Sequence, residues 1–189
     1  MRWSHLTNAH LVPGPGIIKG LGERAGPYNA DAARQVSEAA GPRGLLLLAE
    51  MSSSGTLCST RGRDGRGGEG AGPGEGSYAE TVAREAARPE NAGWVCGFIS
   101  VRPGLWGADW LEGGDLHPAR FVHLTPGVGL REGTDALGQR YLTPETAVRD
   151  NGTDILVVGR GVIAADDPVA AAEEYRARGW AAYEASLSS

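Results

Sequence analysis

The chain has 189 residues, 41% of them hydrophobic and 22% charged, with a formal net charge of −5, enough for one domain with a proper core but short for two. The acidic balance argues against a broad nucleic-acid surface. The longest uncharged apolar run, Leu45–Ala49, is far too short to cross a bilayer, and the amino terminus lacks a basic-then-apolar signal pattern. Cys58 and Cys96 have neither metal spacing nor the number for a disulfide framework, so a soluble cytoplasmic protein with reduced thiols is expected.

Leu6 to His10 has the makings of a short strand, and Pro13-Gly14-Pro15-Gly16 is turn material from which a helix can start at Ile17. Ala32, Val36 and Ala40 recur at helical spacing and stop at Gly41-Pro42, which predicts a helix over Asp31–Ala40. Leu45 to Glu50 is a continuous apolar strand running into Met51-Ser52-Ser53-Ser54-Gly55. Arg61 to Gly76 differs in kind: eight glycines, three arginines balanced by Asp64, Glu69 and Glu75, and no large apolar residue. Such a stretch buries too little to offset its ordering entropy, so a disordered insertion is expected. An RNA-binding reading would need net positive charge and aromatics, and this segment has neither.

Tyr78 to Ala87 reads as a helix and Trp94 to Ser100 as a third strand. The long loop from Val101 to Arg120 resembles a lid or an insertion. Phe121 to Thr125 is a fourth strand, closed by Pro126-Gly127-Val128-Gly129. Asp135 to Tyr141 is polar and irregular, and Thr143-Pro144 begins a short helix to Arg149. Asp154 to Gly161 then holds a run of four apolar residues, Ile155 to Val158, ending in Gly-Arg-Gly. Without alternation it predicts a strand buried on both faces. Its glycines would let the backbone approach a ligand, and Arg160 offers a planar donor fork suited to phosphate. A final helix from Asp167 to Tyr183 opens with an N-cap aspartate and Pro168. Strands and helices alternate five times, the pattern of an α/β fold with a parallel sheet and ligands at the strands' carboxyl ends.

Taken singly these signals are compatible with bland readings. Gly-x-Gly after a strand is often an ordinary tight turn. Ser52 to Ser54 could cap a helix, Gln139 and Tyr141 could be plain surface residues, and Glu50 could be a paired interior charge. His10 and His123 have no carboxylate at a useful spacing and read as packed or solvated histidines. No Gly-x-Ser-x-Gly elbow supports a hydrolase.

Taken together, Thr7-Asn8-Ala9-His10 with its Pro-Gly-Pro-Gly turn, Leu47 to Leu57, Gly97-Phe98-Ile99-Ser100, Leu124 to Val128, Asp135 to Tyr141, Asp154 to Gly161 and Gly179-Trp180-Ala181-Ala182-Tyr183 resemble orotidine 5'-phosphate decarboxylase. The likeness includes the decarboxylase half of bifunctional UMP synthase and leans toward the fungal and animal branch. The resemblance implies a TIM (β/α)8 barrel of which this chain, as a single domain over 1–189, supplies strands four to eight only, with 61–76 inserted. It implies conversion of orotidine 5'-phosphate (OMP) to UMP without metal or organic cofactor, and a homodimer in the full-length family. Nucleic-acid and membrane partners are not expected.

The resemblance assigns Ser52 to the serine that hydrogen-bonds the pyrimidine and Pro126 to a pocket wall. Gln139 and Tyr141 correspond to residues reaching over the phosphate, and Gly159 and Arg160 to the backbone amide and guanidinium beneath it. One departure is decisive for activity. The family's catalytic array has the form Asp-x-Lys-x-x-Asp, with lysine as proton donor, and no such motif exists here. Lys19 is the only lysine, and it follows a turn where relatives carry an ordinary helix residue, so no catalytic residue is assigned. Two alternatives remain: a non-catalytic phosphate-binding or assembly module, and another phosphate-binding barrel enzyme such as a sugar-phosphate aldolase or epimerase.

Overall fold

The computed structural model describes residues 4–34, 41–56, 58, 76–91, 93–107 and 121–188. Five strands, β1 (Leu6–Ala9), β2 (Gly44–Leu48), β3 (Val95–Ile99), β4 (Val122–Pro126) and β7 (Ile155–Val157), form one parallel sheet in the order β1-β2-β3-β4-β7. A two-stranded antiparallel ribbon, β5 (Gly133–Thr134) with β6 (Arg140–Tyr141), sits between β4 and β7 in the chain. The helices are α1 (Gly16–Arg34), α2 (Tyr78–Ala86), a four-residue turn α3 (Arg160–Ile163) and α4 (Pro168–Ser186). The α/β class with a parallel sheet is therefore as expected.

The strand register places Leu45, Leu47, Phe98, His123, Thr125 and Leu156 on one face of the sheet. Helices cover that face. Ile18 from α1 and Val82, Ala83 and Ala86 from α2 pack with Leu45, Leu47 and Phe98 in the main core. The opposite face carries Leu6, Leu48, Ile99, Val122, Leu124, Ile155 and Val157, and Leu6 is 48% exposed there. This corrects one expectation. β2 is buried on both faces, but Ile155 and Val157 of β7 are 44% and 40% exposed. Among the described residues β7 has a single strand neighbour, β4, and occupies the sheet edge. An unbroken apolar run signals burial only if tertiary neighbours arrive on both sides.

The helices differ from their sequence signals in instructive ways. Ser77 and Glu80 form a capping box at α2: Ser77 Oγ accepts from the Glu80 amide at 3.1 Å, and the Gly76 amide donates to the Glu80 carboxylate. Gly76, read above as the end of the inserted segment, thus belongs to the helix start, and 61–75 lies outside the described residues. The helix expected over Asp31–Ala40 is instead the end of α1, which runs from Gly16 to Arg34 with Pro27 inside it, and 35–40 lie outside the described residues. Proline removes one amide donor, yet the turn after it is anchored. Asn29 brackets the Arg43 backbone, accepting from its amide at 2.6 Å and donating to its carbonyl at 2.9 Å, while the Arg43 guanidinium stacks on Tyr28.

α4 begins as the sequence predicts, with Asp167 accepting from the Val169 and Ala170 amides and Pro168 behind it. Its tie to the rest of the fold is a two-pronged ion pair, Arg178 Nε to Glu145 Oε1 at 2.7 Å and Nη2 to Oε2 at 2.8 Å, with Nη1 on the Leu130 carbonyl. The Arg178 hydrogen bonds hold the Glu145 carboxyl down at about 2 against an ordinary 4.5. That contribution is present above the ordinary value and is lost as the pH falls toward 2. Both side chains are partly wet, so Arg178→Ala should cost about 1 kcal/mol, read as a lower urea midpoint; an unchanged midpoint would contradict it.

His123 lies between the Phe98 and Trp106 rings, 5.3 and 5.0 Å away, with Nδ1 2.9 Å from Ser100 Oγ. Burial lowers its imidazole to about 4 from 6.5, partly opposed by Asp154. Below about 6.5 the unfolded chain takes up a proton that the folded chain refuses until about 4. Stability should therefore fall as the pH drops through that window, by about 3 kcal/mol in full. Chemical denaturation at pH 7 and pH 5 measures it, and an equal pH slope in His123→Gln would contradict the assignment.

Candidate functional site

The residues singled out from the sequence lie past the carboxyl ends of the strands. Past β2, the Ala49 and Glu50 amides both bond the Ile99 carbonyl. Glu50 is buried, and its Oε2 accepts from the Val101 and Arg102 amides at 2.9 and 3.0 Å and from the Trp106 indole at 3.2 Å. These donors satisfy the interior charge and fix the start of the loop after β3. Two residues on, Ser52 is buried, and its Oγ accepts from Gln139 Nε2 at 2.6 Å. The backbones meet as well: the Arg140 amide donates to the Ser52 carbonyl at 3.1 Å and the Ser54 amide to the Gly138 carbonyl at 2.7 Å. A segment after β2 and the ribbon before β7 are thus zipped together across 87 residues.

Gly127, immediately after Pro126, makes this approach possible. Its φ is +73°, and a Cβ there would stand 2.4 Å from Gln139 Nε2, 2.6 Å from the Arg140 carbonyl oxygen and 2.7 Å from Ser52 Oγ. Only glycine fits both the backbone conformation and the space. Pro126 itself ends β4 in register with Val157.

Asp135 organises the second half of the site. Its Oδ1 accepts from the Leu137 and Gln139 amides, both at 2.9 Å, folding the polar loop into a tight turn. Its Oδ2 accepts from Tyr141 Oη at 3.2 Å and from Arg160 Nη1 at 2.7 Å. The Arg160 guanidinium also stands 5.9 Å from the centre of the Tyr141 ring. The Gln139 amide is the main cause that holds the Asp135 carboxyl below its ordinary value, with Arg160 contributing, while burial raises the Tyr141 hydroxyl above its own. Ser52, Gln139, Tyr141 and Arg160 therefore meet on one loop, two joined directly and two through Asp135.

Gly159 begins the α3 turn, with its carbonyl accepting from the Val162 and Ile163 amides, and a Cβ on it would meet nothing within 4 Å. The second glycine of the pair has another purpose. A Cβ on Gly161 would lie 2.2 Å from the Tyr175 hydroxyl, so Gly161 leaves the room that the packing of α4 requires.

Sequence reading missed Asp135 and Gly127 as site residues. Gly127 carried a signal in its Pro-Gly turn; Asp135 carried only its place at the head of a polar loop. Ser100, His123 and Asp154 are close but form no nucleophilic triad, because Asp154 Oδ2 accepts from the His123 backbone amide, not the imidazole, and Ser100 is fully buried. Lys19 is 82% exposed on α1 opposite Glu23. Among the described residues no cluster of three or more metal-ligating side chains exists, and no helix is long and apolar enough to cross a membrane. A hollow of about 780 Å³ lies at the sheet edge between β7 and α4, lined in part by Leu156, Tyr175 and Trp180; none of the six residues singled out lines it.

Residues 1–175 match the model of the orotidine 5'-phosphate decarboxylase / HUMPS family. Orotidine 5'-phosphate decarboxylase of Schizophyllum commune is 39% identical over 186 residues, covering 96% of this chain and 55% of that protein. Uridine 5'-monophosphate synthase of Bos taurus is 37% identical over 186 residues, covering 98% of this chain and 30% of that protein. The crystal structure of orotidine 5'-phosphate decarboxylase from Lactobacillus acidophilus superposes with a TM-score of 0.51 at 20% identity, covering 92% of this chain and 62% of that one, a likeness of fold alone. The chain spans about half the length of the curated fungal decarboxylase it matches.

Proposed function

The chain belongs to the orotidine 5'-phosphate decarboxylase / HUMPS family, and on that premise we propose that it is the phosphate-gripping, carboxyl-terminal portion of an OMP decarboxylase barrel. Its five parallel strands would be strands four to eight. The whole enzyme would convert OMP to UMP and carbon dioxide in the cytoplasm, as a homodimer and without metal or organic cofactor. The coverage of the fungal relatives and the uninterrupted strand order support this reading.

In this reading Arg160 and the Gly159 amide hold the phosphate from below, and Gln139 and Tyr141 close over it. Ser52 bridges from the closed loop to the pyrimidine, and Pro126 walls the pocket. Binding at the phosphate is remote from the carbon that loses carbon dioxide, so its energy can be used to close the loop and exclude water. The observation that carries the proposal is the Ser52–Gln139 hydrogen bond, with Tyr141 and, from the start of α3, Arg160 both bonded to Asp135 of the same loop. A surface capping serine or two unrelated surface residues would have no reason to meet in this way.

Protonation of the carbanion needs an acid at the pyrimidine, and the chain's one lysine is solvated on α1. We assign the proton-delivering Lys/Asp array to residues outside this sequence. The purified chain should therefore bind nucleotide yet turn over little or no OMP, and adding the amino-terminal portion of a relative should restore activity. Enzyme-like turnover by the chain alone would contradict the assignment.

A further inference from the structure

Two donors that the proposed phosphate cradle depends on are already engaged by a carboxylate of the same chain. Tyr141 Oη and Arg160 Nη1 both converge on Asp135 Oδ2, at 3.2 and 2.7 Å. An oxygen of a carboxylate and one of a phosphoryl group ask the same of a donor: negative charge and an acceptor at hydrogen-bond distance. Meanwhile Asp135 Oδ1 is committed to the Leu137 and Gln139 amides, which keeps the carboxylate in place at the head of the loop. A phosphate dianion reaching the same hydroxyl and guanidinium would be forced close to this carboxylate, and like charges at such separations repel strongly wherever water is scarce.

We propose that Asp135 is an internal stand-in for phosphate. It holds Arg160 and Tyr141 together while the site is empty, and a phosphoryl ligand must displace it. This rests on the reading of the site as a phosphate cradle, and it makes Asp135 a positioning and specificity residue that touches the donors rather than the reacting atoms. A carboxylate already in the cradle sets a threshold: a ligand must bring more negative charge than the side chain it replaces. The loop would thereby favour dianionic phosphate esters over monoanionic carboxylates or neutral nucleosides. The arrangement also explains the closed loop, since Arg160 tethers through Asp135 the turn that carries Gln139 to Ser52.

The test compares wild type, Asp135→Asn and Arg160→Ala in two measurements. In calorimetry with UMP and with uridine, Asp135→Asn retains an acceptor for the Leu137 and Gln139 amides but loses the competing charge. It should bind UMP about tenfold more tightly while uridine binding is unchanged. A merely structural aspartate predicts the opposite sign, so unchanged or weaker UMP binding, or an equal change for uridine, would overturn the proposal. The second measurement needs no ligand. Hydrogen exchange at the Leu137 and Gln139 amides should quicken several-fold in Arg160→Ala if the guanidinium holds the loop through Asp135, and unchanged exchange would overturn it. Should wild type bind no UMP, the cradle reading fails, and the exchange result still decides whether the tether exists.

Discussion

Arg160→Ala is expected to weaken UMP binding roughly 10- to 150-fold, the equivalent of about 1.5 to 3 kcal/mol for hydrogen bonds to a charged group, while leaving uridine binding nearly unchanged. Two effects add in the same direction. The guanidinium no longer meets the phosphate, and Asp135, whose 2.7 Å partner is gone, is left as an uncompensated carboxylate beside an incoming dianion. The effect on folding should be small, because the Arg160 side chain is 55% exposed, and surface ion pairs contribute little to stability. Parallel calorimetry with UMP and uridine separates a phosphate contact from general damage. Equal losses for the two ligands would show that Arg160 supports the fold rather than the phosphate.

Gly127→Ala should do the reverse and strike stability and binding together. At φ +73° an alanine is strained whatever surrounds it, a cost of about 1 to 3 kcal/mol. Here the surroundings are also full, since the added carbon would sit 2.4 to 2.7 Å from Gln139, Arg140 and Ser52 atoms. Relief requires the Ser52–Gln139 contact to open, and with it the zipper between the segment after β2 and the β5–β6 ribbon. We expect a lower urea midpoint and at least about a tenfold loss of UMP affinity. Gly20→Ala is the control: the position is helical with open space around it, so the change should be neutral or stabilising. A Gly127→Ala protein as stable as wild type and equally competent in binding would mean that the close approach has no role.

The parts of this fold that the sequence announces are those decided locally. The unbroken Leu45–Leu48 run, the Tyr78–Ala86 helix pattern and the Asp167-Pro168 cap each specify their element through neighbours in the chain, and each forms as expected; the Ser77-x-x-Glu80 box, equally local, is found only in the structure. The β5–β6 ribbon escapes because two-residue strands of polar residues have no periodicity to detect. Its existence depends on backbone bonds to Ser52 and Ser54, far away in sequence. β7 misleads for the opposite reason: its composition is that of an interior strand, but burial is a property of what packs against it. α1 runs through Pro27 although a helix-interior proline is a break signal in sequence, and the Asn29–Arg43 bracket anchors the turn that follows.

Resemblance names the candidate residues one by one, but not their arrangement. Nothing in Asp135 to Tyr141 as a string says that one carboxylate gathers two amides, a phenol and a guanidinium. That is a consequence of the ribbon's turn being pressed against the start of α3. Gly161 shows the converse, a glycine whose closeness to Tyr175 of α4 is not visible in the Gly-Arg-Gly string.

A cradle at the strand ends of this chain, as proposed, would hold the phosphoryl group of a pyrimidine nucleotide independently of the chemistry that removes carbon dioxide. Calorimetric titration of the purified chain with UMP and, separately, with ribose 5-phosphate tests it most directly. Saturable binding of both, with UMP clearly preferred through Ser52 and the pyrimidine, is the predicted result. No saturable heat with UMP, or equal affinity for the two phosphates, would contradict it.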